Sequence, residues 1–164
     1  MRLVFFLAAT VLFPFAQDAF AQDRDKYDGP RPPKQDVPYL LHASKLIETE
    51  TLEAKEETRK KDQVASIPGK ASPVKTPLSE PIFLVDSNRL IASKLQLYRL
   101  DVTKDGRREV IIPDGSNKKN RPIHMVTKKL SGNLYRVEVD ETLENGEYCL
   151  SPEGSPAVYC FAIY

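Results

Sequence analysis

The sequence has no tryptophan, only two histidines and two cysteines, and seven glycines among its 164 residues. Each shortage removes a class of chemistry. With His42 and His124 alone there is no H-x-x-x-H pair and no histidine–cysteine cluster of zinc-ligand spacing. Cys149 and Cys160 are too far apart for a C-x-x-C redox or metal motif. The glycines form neither G-x-G-x-x-G nor a P-loop, so no phosphate cradle is expected. No G-x-S-x-G marks a nucleophile, and no two of the many acidic residues stand out as an acid–base pair. Without tryptophan, and with tyrosines that mostly alternate into the core, an aromatic platform for sugars is disfavoured. The charge has no excess of one sign, with 24 basic residues against 23 acidic ones, so there is no general attraction to nucleic acid, anionic lipid or an acidic substrate. No metal and no cofactor is expected.

A long apolar run occurs once, at the N-terminus. Arg2 gives a short basic start, residues 3–16 are almost uninterruptedly apolar, and Ala19-Phe20-Ala21 is an A-x-A cleavage pattern. This reads as a secretory signal peptide over residues 1–21. Pro14, Gln17 and Asp18 interrupt the run before the roughly twenty residues that a membrane span needs. Five of the seven phenylalanines lie in that segment, whereas all seven tyrosines follow it. The rest of the chain suits one domain whose core leans on Val, Ile, Leu and Tyr. A secreted or periplasmic location follows. None of the five asparagines sits in N-x-S/T, which favours a bacterial periplasm or exterior.

Residues 22–38 are polar and proline-dense, with Gly29-Pro30-Arg31-Pro32-Pro33-Lys34 at the centre. They read as a flexible, extended arm that serves as a spacer. Residues 39–79 form a charged segment and a proline-rich loop. The run ETETLEAKEETRKKDQ contains good helix formers but offers only Leu52 and Ala54 for an apolar stripe, so it reads as two exposed strands or a charged ribbon. The compact core is expected over residues 80–164, beginning with the buried-strand run Ile82-Phe83-Leu84-Val85.

Two hairpins follow. Residues 95–102 and 107–112 flank Lys104-Asp105-Gly106. A three-residue loop with Gly106 left-handed sets Leu100 opposite Val110 and Tyr98 opposite Ile112, so that like meets like. Residues 123–130 and 134–139 flank Ser131-Gly132-Asn133, setting Met125 by Val139 and Thr127 by Val137. The reverse face then carries Lys128 with Arg136, Val126 with Glu138, and His124 with Asp140.

The last stretch, LENGEYCLSPEGSPAVYCFAIY, holds both cysteines. Pairing Cys149 with Cys160 puts Leu150 opposite Tyr159 and Tyr148 opposite Phe161, with Ile163 next on the same, core-facing side. The cysteines meet on the other face at disulfide distance. In an exported protein they are expected to form a bridge that staples the hairpin. The approach, Leu143-Glu144-Asn145-Gly146-Glu147-Tyr148, resembles the tyrosine corner of immunoglobulin-like and fibronectin-III-like sandwiches. That resemblance implies an antiparallel β-sandwich with Tyr148 as corner residue, and no activity.

The expected fold is therefore mainly β, an antiparallel sandwich of about seven strands with a Pro-rich arm. The leading functional reading is a non-enzymatic structural or interaction module with an unknown protein or polysaccharide partner. A second is a binder of acidic polysaccharide or another polyanion through Lys118, Lys119, Arg121, Lys128, Lys129 and Arg136. A hydrolase using His124 and Asp140 comes last, because a surface ion pair accounts for the same two residues.

Overall fold

The computed structural model describes residues 27–112 and 120–164. The signal-peptide reading and Lys118 and Lys119 lie outside the described residues. Thirteen strands follow one another: β1 (Tyr39–His42), β2 (Lys45–Glu48), β3 (Glu50–Glu53), β4 (Lys55–Arg59), β5 (Asp62–Pro68), β6 (Lys75–Thr76), β7 (Ile82–Asp86), β8 (Leu95–Val102), β9 (Arg107–Ile112), β10 (Met125–Ser131), β11 (Leu134–Val139), β12 (Gly146–Pro152) and β13 (Ala157–Ile163). A single turn of 3-10 helix, Ala92–Lys94, leads into β8.

Two sheets are built from them. The first runs β10-β11-β7-β1-β2, all antiparallel. Its centre is β7, the strand whose three middle residues, Phe83, Leu84 and Val85, are all buried. Such a strand cannot serve as an edge, because both of its faces need cover. The second sheet runs β3-β13-β12-β8-β9-β5-β4, with β6 added in parallel to the end of β13. Its two edge strands, β3 and β4, are separated in the chain by Ala54 alone. One extended segment therefore pairs with β13 through residues 50–53 and with β5 through residues 55–59. The sheet thus curls round into a small barrel whose ends are joined through this one segment.

The first sheet packs on the barrel wall made by β8, β12 and β13. Leu40, Phe83, Val85, Val137 and Val139 from the sheet meet Leu97, Tyr148, Leu150, Phe161 and Ile163 from the wall in one buried core. Phe83 and Phe161 lie 5.1 Å apart, and Tyr148 stacks on Phe161 at 5.7 Å. A second core, of Ile67, Leu100, Cys149, Val158 and Cys160, fills part of the barrel interior. The architecture is thus a sandwich in which one layer is a barrel.

The expected registers hold. In the C-terminal hairpin Cys149 faces Cys160, Leu150 faces Tyr159 and Tyr148 faces Phe161. Met125 faces Val139 and Thr127 faces Val137 in the hairpin before it. Gly106 adopts a φ of 85°, as the three-residue loop demands. The β8–β9 ladder keeps the expected offset, with Asp101 opposite Glu109 and Val102 opposite Arg108, but the expected pairs Leu100–Val110 and Tyr98–Ile112 do not form, because the strands diverge after Val102 and Asp101. Beyond it the two strands part, β8 joining β12 and β9 joining β5. Cys149 and Cys160 are bonded, with their Cα atoms 4.0 Å apart. The Tyr148 hydroxyl donates to the Glu144 carbonyl at 2.7 Å, the bond expected of a tyrosine corner.

Seven of the thirteen strands, β7 to β13, fall in the expected core of residues 80–164, and residues 48–63 are strands as expected. Two expectations change. The folded body starts at Tyr39 instead of near residue 80, since β1 lines the first sheet and β3 to β5 close the barrel. The end of the Pro-rich arm is also fastened. Asp36 takes a φ of 61°, its N–H donates to the Asp86 carbonyl, and its carboxylate oxygen accepts the N–H groups of Asn88, Arg89 and Leu90 at 2.8–2.9 Å. Its own carbonyl receives the Tyr159 hydroxyl at 2.7 Å. Burial works to raise the Asp36 carboxyl, but the three amide donors outweigh it and hold the group below the usual aspartate range.

Two outcomes follow from this framework. Replacing both cysteines by alanine should lower stability in urea by about 3 kcal/mol, the loop-closure contribution of a bridge this short. Asp36→Asn should cost about 1–2 kcal/mol at pH 7. Because the folded carboxyl is the stronger acid, its stabilisation is present above the free aspartate value near 4 and fades as pH falls through the lower folded value. The gap between wild type and Asp36→Asn in unfolding midpoint should therefore narrow in acid; a gap independent of pH would show that Asp36 acts through packing alone.

Candidate functional site

The barrel interior is organised by two-residue steps along each strand. On β12 Glu147, Cys149 and Ser151 succeed one another; on β9 Arg108, Val110 and Ile112; on β8 Leu100, Tyr98 and Gln96. The first members of the β12 and β9 series meet at one end of the barrel and the last members line the opposite mouth.

The closed end is a buried ion cluster. Arg108 is 1% exposed. Its Nη1 donates to Glu50 at 2.8 Å and to Glu147 at 3.3 Å, and its Nη2 donates to the second Glu50 oxygen at 3.2 Å. The Pro68 and Gly69 carbonyls take its Nη2 and Nε, each at 3.1 Å. Gly69 turns through a φ of 86°, the left-handed conformation that brings both carbonyls to one guanidinium. Glu147 also accepts the Ser72 N–H at 2.8 Å. An isolated buried charge would be very costly, and this density of donors and acceptors is what offsets it. On the outer surface Arg59 of β4 reaches across β5 to grip both Glu109 oxygens at 2.6 and 2.7 Å. That grip holds the Glu109 carboxyl below its ordinary value.

The other end is open. Where β8 and β9 part, a cavity of about 520 Å³ enters the barrel. Its walls are Ile67, Leu100, Val110, Ile112 and Val158, with the Cys149 half of the disulfide among them. The space exists because several lining positions are small: Ala54, Ala65, Ser151 and Gly154. A barrel this narrow is normally filled by its own side chains. Around the mouth stand Glu56, Gln96, Tyr98 and the turn from Pro152 to Pro156. The Tyr98 hydroxyl donates to Gln96 Oε1 at 2.7 Å, and burial pushes its phenol upward. The volume lies within the 300–1,000 Å³ of small-molecule sites, and the apolar walls with a few polar groups at the rim match their usual make-up.

The residues singled out from sequence are placed elsewhere. His124 and Asp140 do come together, Nδ1 lying 2.7 and 2.9 Å from the two carboxylate oxygens. The ring is 67% exposed, on the surface rather than in a cleft. Arg121 pairs with Glu141 at 3.1 Å, and Arg136 pairs with Glu138. Lys128 faces Arg136, and Lys129 faces Tyr135, on the edge pair of the first sheet. Acidic partners thus interleave the basic surface. Sequence reasoning missed the cavity and the Arg108 cluster. One signal for the cluster was present: alternation puts Arg108 in phase with Val110 and Ile112, a charge on an apolar face. Comparison with protein families, with curated proteins and with solved structures finds no match.

Arg108→Ala should strip two carboxylates of their counter-charge and lower unfolding free energy by about 3–5 kcal/mol. Glu109→Gln, which loosens a partly exposed pair, should cost about 1 kcal/mol or less. Urea titration of both variants checks the order; equal losses would mean that the buried cluster carries no special weight.

Proposed function

We propose that this protein is an exported, non-enzymatic binding module that receives a small, largely apolar ligand in the barrel interior. The observation that carries the reading is the open apolar cavity between β8 and β9, closed at its far end by the Arg108 cluster. A structural core would have filled that space, since interiors pack to crystal-like density. Export is supported by the signal-like N-terminus and by the buried Cys149–Cys160 bridge, which persists in an oxidising compartment. No helix among the described residues is long and apolar enough to cross a membrane. The immunoglobulin-like resemblance is supported by the Tyr148 corner bond, and it adds a scaffold without an activity.

An environment-sensitive naphthalene dye provides the test. The dye should brighten on binding the disulfide-intact protein, at one site per chain. Ala65→Leu, which pushes a larger side chain into the cavity, should weaken it about tenfold or more while the melting temperature stays within a few degrees. Dye binding that is absent, or unchanged in a folded Ala65→Leu protein, would sink the proposal.

A further inference from the structure

The rim of the cavity selects among apolar ligands by the kind of hydrogen-bonding groups it offers. The charged side chains lining the cavity are Glu56 and Glu153, and neither lysine nor arginine is among them. Glu153 is held by Lys94 at 2.7 Å. Glu56 is exposed at the mouth and has no ion pair among the described residues. Among the neutral groups the Gln96 amide and the Ser151 and Ser155 hydroxyls can donate, while the Tyr98 oxygen and the proline turn favour a donor ligand. The Tyr98 O–H donates its hydrogen bond to Gln96 Oε1, so toward a ligand its oxygen offers acceptor capacity. The turn over the mouth carries Pro152 and Pro156, neither of which has an N–H, and the Ser155 and Ala157 amides are spent on the Pro152 carbonyl and the Ser155 hydroxyl. An anion would find neutral donors only, no cation, and the Glu56 carboxylate facing it. A protonated amine would find a carboxylate and an acceptor phenol oxygen, groups suited to an ammonium head.

Resting on the reading of the barrel interior as a ligand site, we infer that the ligand is a cationic amphiphile. Its apolar body occupies the space between Ala65, Val110 and Val158, and its amine-type nitrogen sits at the mouth beside Glu56 and Tyr98. The head stays at the rim because Arg108 already occupies the Glu50 and Glu147 carboxylates at the closed end. The apolar body confers affinity, and Glu56 confers the preference for charge.

The test displaces the naphthalene dye from the disulfide-intact protein at pH 7 and low salt with decylamine, decanol and decanoate, all below their micelle concentrations. These share one chain and differ in head group. Decylamine should compete roughly fivefold better than decanol, the strength of a partly exposed ion pair, and decanoate should be the weakest. Glu56→Gln should bring decylamine to the level of decanol and leave decanol unchanged. Because Glu56 is exposed, that variant should fold as wild type does. If decanol displaces the dye and decylamine is no better, or if Glu56→Gln leaves the preference intact, the head-group inference falls while the ligand site stands. If none of the three displaces the dye, the ligand site falls with it.

Discussion

The hairpin of β12 and β13 is apolar on both faces, and the rest of the structure answers that constraint. Tyr148, Leu150, Phe161 and Ile163 point to one side, and Cys149, Val158 and Cys160 to the other. A strand pair with one such face needs one covering layer; with two it must be enclosed. The five-stranded sheet covers the first face. The second can be covered only if the sheet that contains the hairpin bends round onto itself. The segment of residues 50–59 makes this possible by pairing with β13 at one end and β5 at the other.

Enclosure brings a difficulty with polar atoms, and the structure resolves it at one end of the barrel only. Arg108, Glu50 and Glu147 satisfy one another with the help of two backbone carbonyls and the Ser72 amide. At the opposite end no such cluster forms, because β8 and β9 separate after two paired residues. Small side chains line the gap. The same break in the ladder that leaves the barrel incompletely closed thus creates its one large apolar entrance among the described residues. The Asp36 clasp acts on the other layer: it ties the arm to the loop after β7, and Tyr159 of the barrel wall fastens it from below. Lys34 adds an ion pair to Glu48, and Gln35 bridges to Asp86.

Much of the local structure was legible in the chain. Three hairpin offsets, the facing of Cys149 and Cys160 and the core-facing set of the last hairpin followed from alternation and turn chemistry, whereas Tyr148 as corner residue came from the resemblance to immunoglobulin-like sandwiches. Each depends on residues close in sequence, where one wrong step would turn every side chain to the opposite face. Residues 48–63 could be recognised as strand but not placed. KEETR of β4 is exposed along its whole length, so nothing in its pattern names a neighbour. The ligand cavity was equally hidden, since an alanine such as Ala65 signals nothing until the strands around it are known.

The sequence by itself determined that the chain is β-rich, the offset of its last three hairpins, and that its cysteines face each other. It did so because period-two alternation and loop length act within a few residues. Only the tertiary structure decided that the second sheet closes, that Arg108 is buried with Glu50 and Glu147, and that an apolar space stays open between β8 and β9. The Arg108 contacts join residues 39 and 58 positions apart, and the closure pairs Glu50 of β3 with Cys160 of β13. At such separations pairing is chosen by the whole set of faces that must be covered, and no single stretch of the chain contains that information.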